Sequence, residues 1–159
     1  VDEDAGLVLR EEPADGDAGS ALLAAFDADI ATLYQGWDPG LGPSAKPDDF
    51  APPGGGFVVA YDGGVAVGGG GLKRLDANTA EIKRMYVMPA ARGRGVARRI
   101  LEALERLAEQ LGYSRVRLDT GPQQPHALSL YRSVGYREID DYNANPFATY
   151  WFEKTLERP

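Results

Sequence analysis

The chain contains no cysteine and a single histidine, His126. The first absence excludes a disulfide scaffold, thiolate zinc sites, iron–sulfur clusters and cysteine nucleophiles. The second excludes a multi-histidine metal centre, so no metal is expected. No uninterrupted apolar run approaches the ~20 residues a membrane-crossing helix requires. No charged-then-apolar secretory leader opens the sequence, so a cytoplasmic location without membrane contact is expected. An excess of positive charge is also missing. With a net charge of −7 and a pI near 4.7, non-specific binding to nucleic acid is disfavoured, because phosphate neutralisation dominates that affinity.

What is present is ordinary for a globular chain: 159 residues, 43% hydrophobic and 26% charged. One domain over residues 1–159 is expected, with residues 1–6 a flexible acidic start. A chain of this length buries enough surface to fold without a covalent or metal staple. The charge is unevenly placed. Residues 1–17 carry seven acids against Arg10 alone, whereas residues 80–117 carry nine bases against four acids. A local basic cluster in an acidic chain suits a small, highly charged anion, or else a solvated helix face.

Periodicity places the elements. Residues 7–10 read as a strand, and Ser20 reads as the cap of a helix over 21–35, where Leu22, Leu23, Phe26, Ile30 and Leu33 recur at helical spacing. Residues 36–56 hold five of the eleven prolines and read as a long loop, with a short helix near Asp48-Asp49-Phe50. Residues 57–61 and 65–67 flank Asp62-Gly63-Gly64 as a hairpin. The run Gly68 to Gly71 continues the second strand and marks a bulge or a close approach of another group. Residues 79–87 and 115–120 read as strands. Between them Val96, Ile100, Leu101, Leu104, Leu107 and Leu111 form one apolar helical stripe closed by Gly112. A strand, a helix and a strand make a βαβ unit, so these two strands should be parallel. A short helix from Pro125 to Ser133 and strands over 136–139 and 149–156 complete a mixed α/β domain.

The segment most informative about chemistry joins the 79–87 strand to the long helix. Gly93 and Gly95 permit backbone conformations closed to other residues and let a ligand approach the main chain. The helix that follows starts with unpaired N–H groups and the positive end of its dipole, reinforced by Arg92 and Arg94. A pyrophosphate would fit there. A dinucleotide fingerprint fails, because Arg98 stands where glycine or alanine is needed, and no Walker pattern is present.

What stands instead is R-x-x-G-x-A, Arg92 to Ala97, after a strand. This resembles the acetyl-CoA loop of the GNAT superfamily of N-acetyltransferases. The likeness runs from about Leu7 to Leu156 and is strongest from Glu81 to Tyr136. Residues 81–87 look like the family's fourth strand, and residues 127–136 look like its fourth helix with the glycine–aromatic pair that follows. The resemblance implies a strongly twisted mixed sheet of about six to seven strands flanked by about four helices, with the parallel strands splayed into a V. It implies acetyl-CoA as cosubstrate, pantetheine pairing with backbone at Met85, Tyr86 and Val87, and the pyrophosphate on Arg92, Gly93, Arg94, Gly95, Val96 and Ala97. A further CoA contact falls on Gln124, where the family often has asparagine.

The implied activity is transfer of an acetyl group to a primary amine of a small molecule or peptide, by direct attack in a ternary complex. That reaction needs a group to take the amine's proton and a donor for the leaving thiolate. Glu81 matches the family's position for the first, or is a carboxylate paired with a base on its strand. Tyr131 matches the second, or is a core tyrosine. A thiol titrates near ~8.5 and a tyrosine near ~10, so a phenol can reprotonate the thiolate where solvent is excluded. Acceptor specificity would sit in residues 20–56 and 140–148, with Tyr34, Trp37, Phe50, Tyr142, Phe147 and Trp151 as wall or as core. Three other readings compete. One is a non-catalytic acyl-CoA-binding or regulatory module on the same fold. Another is a nucleic-acid-binding helix using Arg92 to Arg99, which the net charge disfavours. The last is an aspartic protease from the single Asp119-Thr120-Gly121 tripeptide, which would require a homodimer. A monomer or a homodimer is compatible with the transferase reading.

Overall fold

The computed structural model describes residues 6–38, 46–121 and 125–157. Seven strands form one sheet: β1 Leu7–Glu11, β2 Gly56–Asp62, β3 Val65–Arg74, β4 Thr79–Val87, β5 Arg115–Thr120, β6 Arg137–Ile139 and β7 Tyr150–Thr155, in the spatial order β1-β2-β3-β4-β5-β7-β6. Three α-helices accompany it: α1 Asp17–Leu33, α2 Val96–Gln110 and α3 Pro125–Ser133. Two short 3-10 helices, Pro47–Phe50 and Pro89–Ala91, make up the rest of the helical structure described. All pairings are antiparallel except that of β4 with β5.

Side-chain alternation on β2 explains why helices pack on both faces of the sheet. Val58 and Ala60 join the core under α2, while Phe57 and Val59 join a second core with Leu22 of α1 and Phe50. A strand buried on both faces reads as a continuous apolar run, which residues 57–61 are. The stripe on α2 is buried as its spacing predicts, from Val96 through Ile100, Leu101 and Leu104 to Leu107. Leu104 is fully buried, so truncating it to alanine would cost on the order of 2–5 kcal/mol.

The glycine run of β3 allows that helix to lie close. A Cβ on Gly68 would come within 2.9 Å of Ile100, and one on Gly70 within 3.0 Å of Leu104. On the opposite face a Cβ on Gly71 would strike the ring of Phe50 at 2.5 Å. The run also faces a bulge. Gly69 pairs with Tyr86 and Gly71 with Lys83, so β4 spends one residue more than β3 over the same span.

The first helix differs from the sequence expectation. It starts at Asp17, with Gly16 rather than Ser20 at its N-cap, and ends at Leu33. Ser20 lies one turn inside, its N–H donating to the Gly16 carbonyl at 2.8 Å. Gly19 looks like a turn residue in sequence, yet it is helical, and the position takes glycine because a side chain there would overlap the Ala14 carbonyl. Among the described residues three α-helices stand where about four were expected. Of the long loop, residues 39–45 lie outside the described residues, as do the acidic start over residues 1–5 and Gln124.

Candidate functional site

Strands β4 and β5 pair over a short stretch only, Thr79 to Glu81 against Arg115 to Arg117. Beyond Glu81 they separate, and the β5-facing edge of β4 is left without a strand partner. The separation opens a cleft of about 930 Å³ between α1, α2 and α3. Two parallel strands that part in this way leave backbone N–H and C=O groups pointing into the gap, and those groups need partners.

At one end of the cleft the loop between β4 and α2 turns on two glycines. Gly93 has φ +78° and Gly95, the N-cap of α2, has φ +79°, both in the left-handed region that disfavours a side chain. The free N–H groups of the first α2 turn therefore face an opening, with the positive end of the helix dipole behind them. Arg92 and Arg94 flank this mouth but are engaged elsewhere. Arg92 donates through Nε to the Val87 carbonyl at 3.0 Å and pairs with Asp29 of α1 at 3.2 Å. Arg94 pairs with Asp62 at 2.8 Å.

Behind the cleft surface formed by Lys83 and Asp119 lies a buried ionic network. The Glu81 side chain is only 1% exposed; its Oε2 accepts from the Tyr142 hydroxyl at 2.6 Å and from Asn143 Nδ2 at 3.0 Å. Its Oε1 is buried with no hydrogen-bond partner among the described residues, and Lys83 Nζ stands 3.6 Å from it. Asn143 also donates to Asp119 at 2.6 Å, so a single amide ties the two carboxylates together. Trp151 fixes that amide by donating to its oxygen at 2.9 Å. Asp119 is 13% exposed and lies 4.0 Å from Lys83. Burial, and then the charge of Glu81, raises the Tyr142 hydroxyl above the ordinary tyrosine range.

Tyr131 of α3 stands against Tyr136 and Phe152, with ring centroids 5.8 and 5.9 Å away, and its body is buried. Burial first, and the charge of Asp119 second, hold its hydroxyl well above the ordinary range, so the phenol is protonated at neutral pH. Opposite, Arg84 sits in the β4 bulge with φ +59°, an orientation that costs a non-glycine residue on the order of 1–2 kcal/mol. Its guanidinium lies 5.1 Å from the Phe26 ring and 5.6 Å from that of Trp37.

The residues named from sequence fall as follows. Met85, Tyr86, Val87, Arg92, Gly93, Gly95, Val96, Ala97 and Tyr131 all line the cleft. Arg94 does not line it; its guanidinium points to Asp62. Glu81 does not line it either, lying behind the surface that Lys83 and Asp119 form. Sequence reasoning passed over Lys83, Arg84 and Asn143, and it weighed Asp119 only as part of a protease tripeptide. The glycine run opposite Arg84 was the one available trace of the bulge.

A mixed sheet with a splayed parallel pair, a glycine-bent loop and a helix N-terminus at the mouth is the architecture of an acyl-CoA-dependent transferase. The chain belongs to the Acetyltransferase (GNAT) family, whose profile matches residues 22–136. It is 33% identical over 156 residues to an IAA acetyltransferase of Azospirillum brasilense, covering 94% of this chain and 97% of that one. It is 37% identical over 113 residues to the N-alpha-acetyltransferase RimI of Mycobacterium tuberculosis, covering 69% and 68% of the two chains. Among solved structures, an acyl-CoA N-acyltransferase fold from Klebsiella pneumoniae superposes with a TM-score of 0.75 at 27% identity, over 95% of this chain and 98% of that one. A GNAT acetyltransferase of Elizabethkingia anophelis, solved with acetyl-CoA bound, has the same fold at 17% identity, with a TM-score of 0.69 over 96% and 99% of the two chains. Among the described residues no helix is long and apolar enough to cross a membrane.

Proposed function

We propose that this protein transfers an acetyl group from acetyl-CoA to a primary amine of a small molecule or peptide, by direct attack in a ternary complex. The observation that carries the reading is the splay of β4 from β5, because it brings an anion mouth, an unpaired strand edge and a proton-handling group into one cleft. When bound, acetyl-CoA supplies an acetyl group activated as a thioester. The N–H groups from Gly93 to Ala97 hold the pyrophosphate with the Arg92 side chain beside them, and the open edge of β4 at Met85 to Val87 pairs with the pantetheine amides. Gln124 remains a proposed CoA contact by position in the sequence.

The carboxylates Glu81 and Asp119 act as one unit. The amine must lose a proton to become nucleophilic, and Asp119 is the member of the pair at the cleft surface. Glu81 stands behind it through Asn143, so the two share charge with Lys83 between them. At the other side, Tyr131 keeps its hydroxyl proton at neutral pH and can give it to the departing sulfur. Asp119 takes the ammonium's proton and passes it to solvent; the free amine then forms the N–C bond as the C–S bond breaks, its remaining surplus proton goes to the same carboxylate, and the departing sulfur takes the phenol's proton, which solvent restores.

An acceptor screen that follows free CoA over amino acids, polyamines, aminoglycosides and peptides tests the reading. Acceptor-dependent CoA release that Tyr131→Phe suppresses supports it. CoA binding with no release over the full panel would replace it with the non-catalytic acyl-CoA-binding module.

A further inference from the structure

One cation in the cleft has no part in the proton transfers. Arg84 lines the cleft, is 10% exposed, and holds its strained left-handed φ at the bulge of β4. Strain of this kind persists where the surroundings over-determine it, and it is commonest at ligand sites. A single carboxylate, Asp27, meets the guanidinium, through one nitrogen at 2.9 Å, and Asp27 is itself 46% exposed. The rest of the planar donor fork faces Phe26, Trp37 and the cleft with no acceptor among the described residues. Trp37 adds a second unmatched donor, since its indole N–H is buried without a hydrogen-bond partner among the described residues. Burial depresses the Arg84 guanidinium below its ordinary value even against the opposing charges of Asp27 and Asp119, the mark of an under-compensated cation.

Two unmatched donors, one of them a fork, call for a planar anionic acceptor, and a carboxylate fits a guanidinium in two parallel hydrogen bonds. The same cleft presents Asp119, an anion suited to an ammonium group. Its walls between these charges are apolar, from Ile30 and Leu33 of α1 to Phe147, which packs edge-on to Trp37 at 4.9 Å. We infer that Arg84, with the Trp37 N–H beside it, is the carboxylate subsite of the acceptor, and that the acceptor is a free amino acid with an apolar or aromatic side chain. This rests on the acetyl-transfer reading and narrows it. Polyamines and aminoglycosides lack the anion, and a peptide amino terminus lacks it next to the amine.

The test uses the full chain saturated with CoA. Leucine, phenylalanine and tryptophan are titrated calorimetrically against the corresponding amides, with CoA release from acetyl-CoA measured on the same set. The amino acids should bind roughly tenfold or more tighter than their amides. Arg84→Gln should collapse that preference to within about twofold. Arg84→Gly, which relieves the left-handed backbone, should do the same without a lower melting temperature than Arg84→Gln, so misfolding cannot account for the loss. Equal affinity for acid and amide in the unaltered protein, a preference that survives both variants, or no binding by any of the three amino acids overturns the inference. Carboxylate-dependent binding without CoA release would leave the subsite standing and defeat the transferase reading. Acetylation of amides and plain amines but not of amino acids would do the reverse.

Discussion

At the α2 end of the cleft the groups that face a ligand belong to the main chain, while at the α1 end they belong to side chains. The first end consists of N–H groups at the start of α2, two glycines at positive φ and the open edge of β4. Its two flanking arginines are held in ion pairs, Arg92 with Asp29 on the cleft wall and Arg94 with Asp62 outside it. The second end consists of Lys83, Arg84 and Asp119 with Glu81 behind them, drawn from β4 and β5 and tied by Asn143 from the loop before β7. A main-chain site tolerates side-chain change but not a change in backbone conformation. A side-chain site is the reverse, and each buried charge in it depends on the others.

The largest expected effect lies where the two ends meet. Tyr131→Phe keeps the ring against Phe152 and removes only the hydroxyl proton, so turnover should fall by roughly 10²–10⁴-fold while acetyl-CoA affinity barely moves. Turnover and melting temperature measured on one preparation decide it. Equal turnover with a lower melting temperature would return Tyr131 to the core.

The contrast in materials is sharpest at the loop. Gly95→Val forces a β-branched residue into φ +79° and should abolish CoA binding while circular dichroism reports an intact fold. Arg92→Ala should weaken CoA by only about 1 kcal/mol, because a charge-assisted contact is gained at the expense of the existing pair with Asp29. If calorimetry finds Arg92→Ala as damaging as Gly95→Val, the mouth is a side-chain site after all.

At the other end, Asn143→Leu should destabilise the protein by about 1–3 kcal/mol, since Glu81 and Asp119 each lose a buried donor. The same change should leave CoA affinity intact. A thermal melt unchanged by Asn143→Leu would mean the two carboxylates are not held as a unit.

The smallest effect is a control outside the cleft. Burial works against the charge of Glu153 on β7, but Arg117, Arg137 and Arg115 outweigh it and hold its carboxyl below the ordinary carboxylate range. A depressed folded value contributes stability above the unfolded one, near 4.5, and that contribution is lost as pH falls through the folded value. Glu153→Gln should therefore flatten part of the acid limb of melting temperature against pH below about 4.5, with no effect on CoA binding. An unchanged acid limb would show that other carboxylates dominate there.

Much of this molecule was determined locally and was therefore legible from sequence. The α2 stripe, the turn at Gly93 and Gly95, and the parallel relation of 79–87 to 115–120 all follow from spacing and from residues whose backbone preferences are strong. The shape of the loop at the cleft mouth was legible for the same reason, since left-handed turns are written in glycines. Tertiary structure decided the rest. Ser20 is a good cap by type, but α1 starts one turn earlier at Asp17, and its Gly19 lies against the Ala14 backbone where a side chain would not fit. The register between β3 and β4 placed Arg84 in a bulge, and no property of arginine predicts a left-handed φ. Glu81 was named by its match to the family's position, yet its distance from the cleft surface depends on Lys83 and on a loop some sixty residues further along the chain. Charges buried against one another are set by long-range contacts, and contacts of that range leave no period in the sequence.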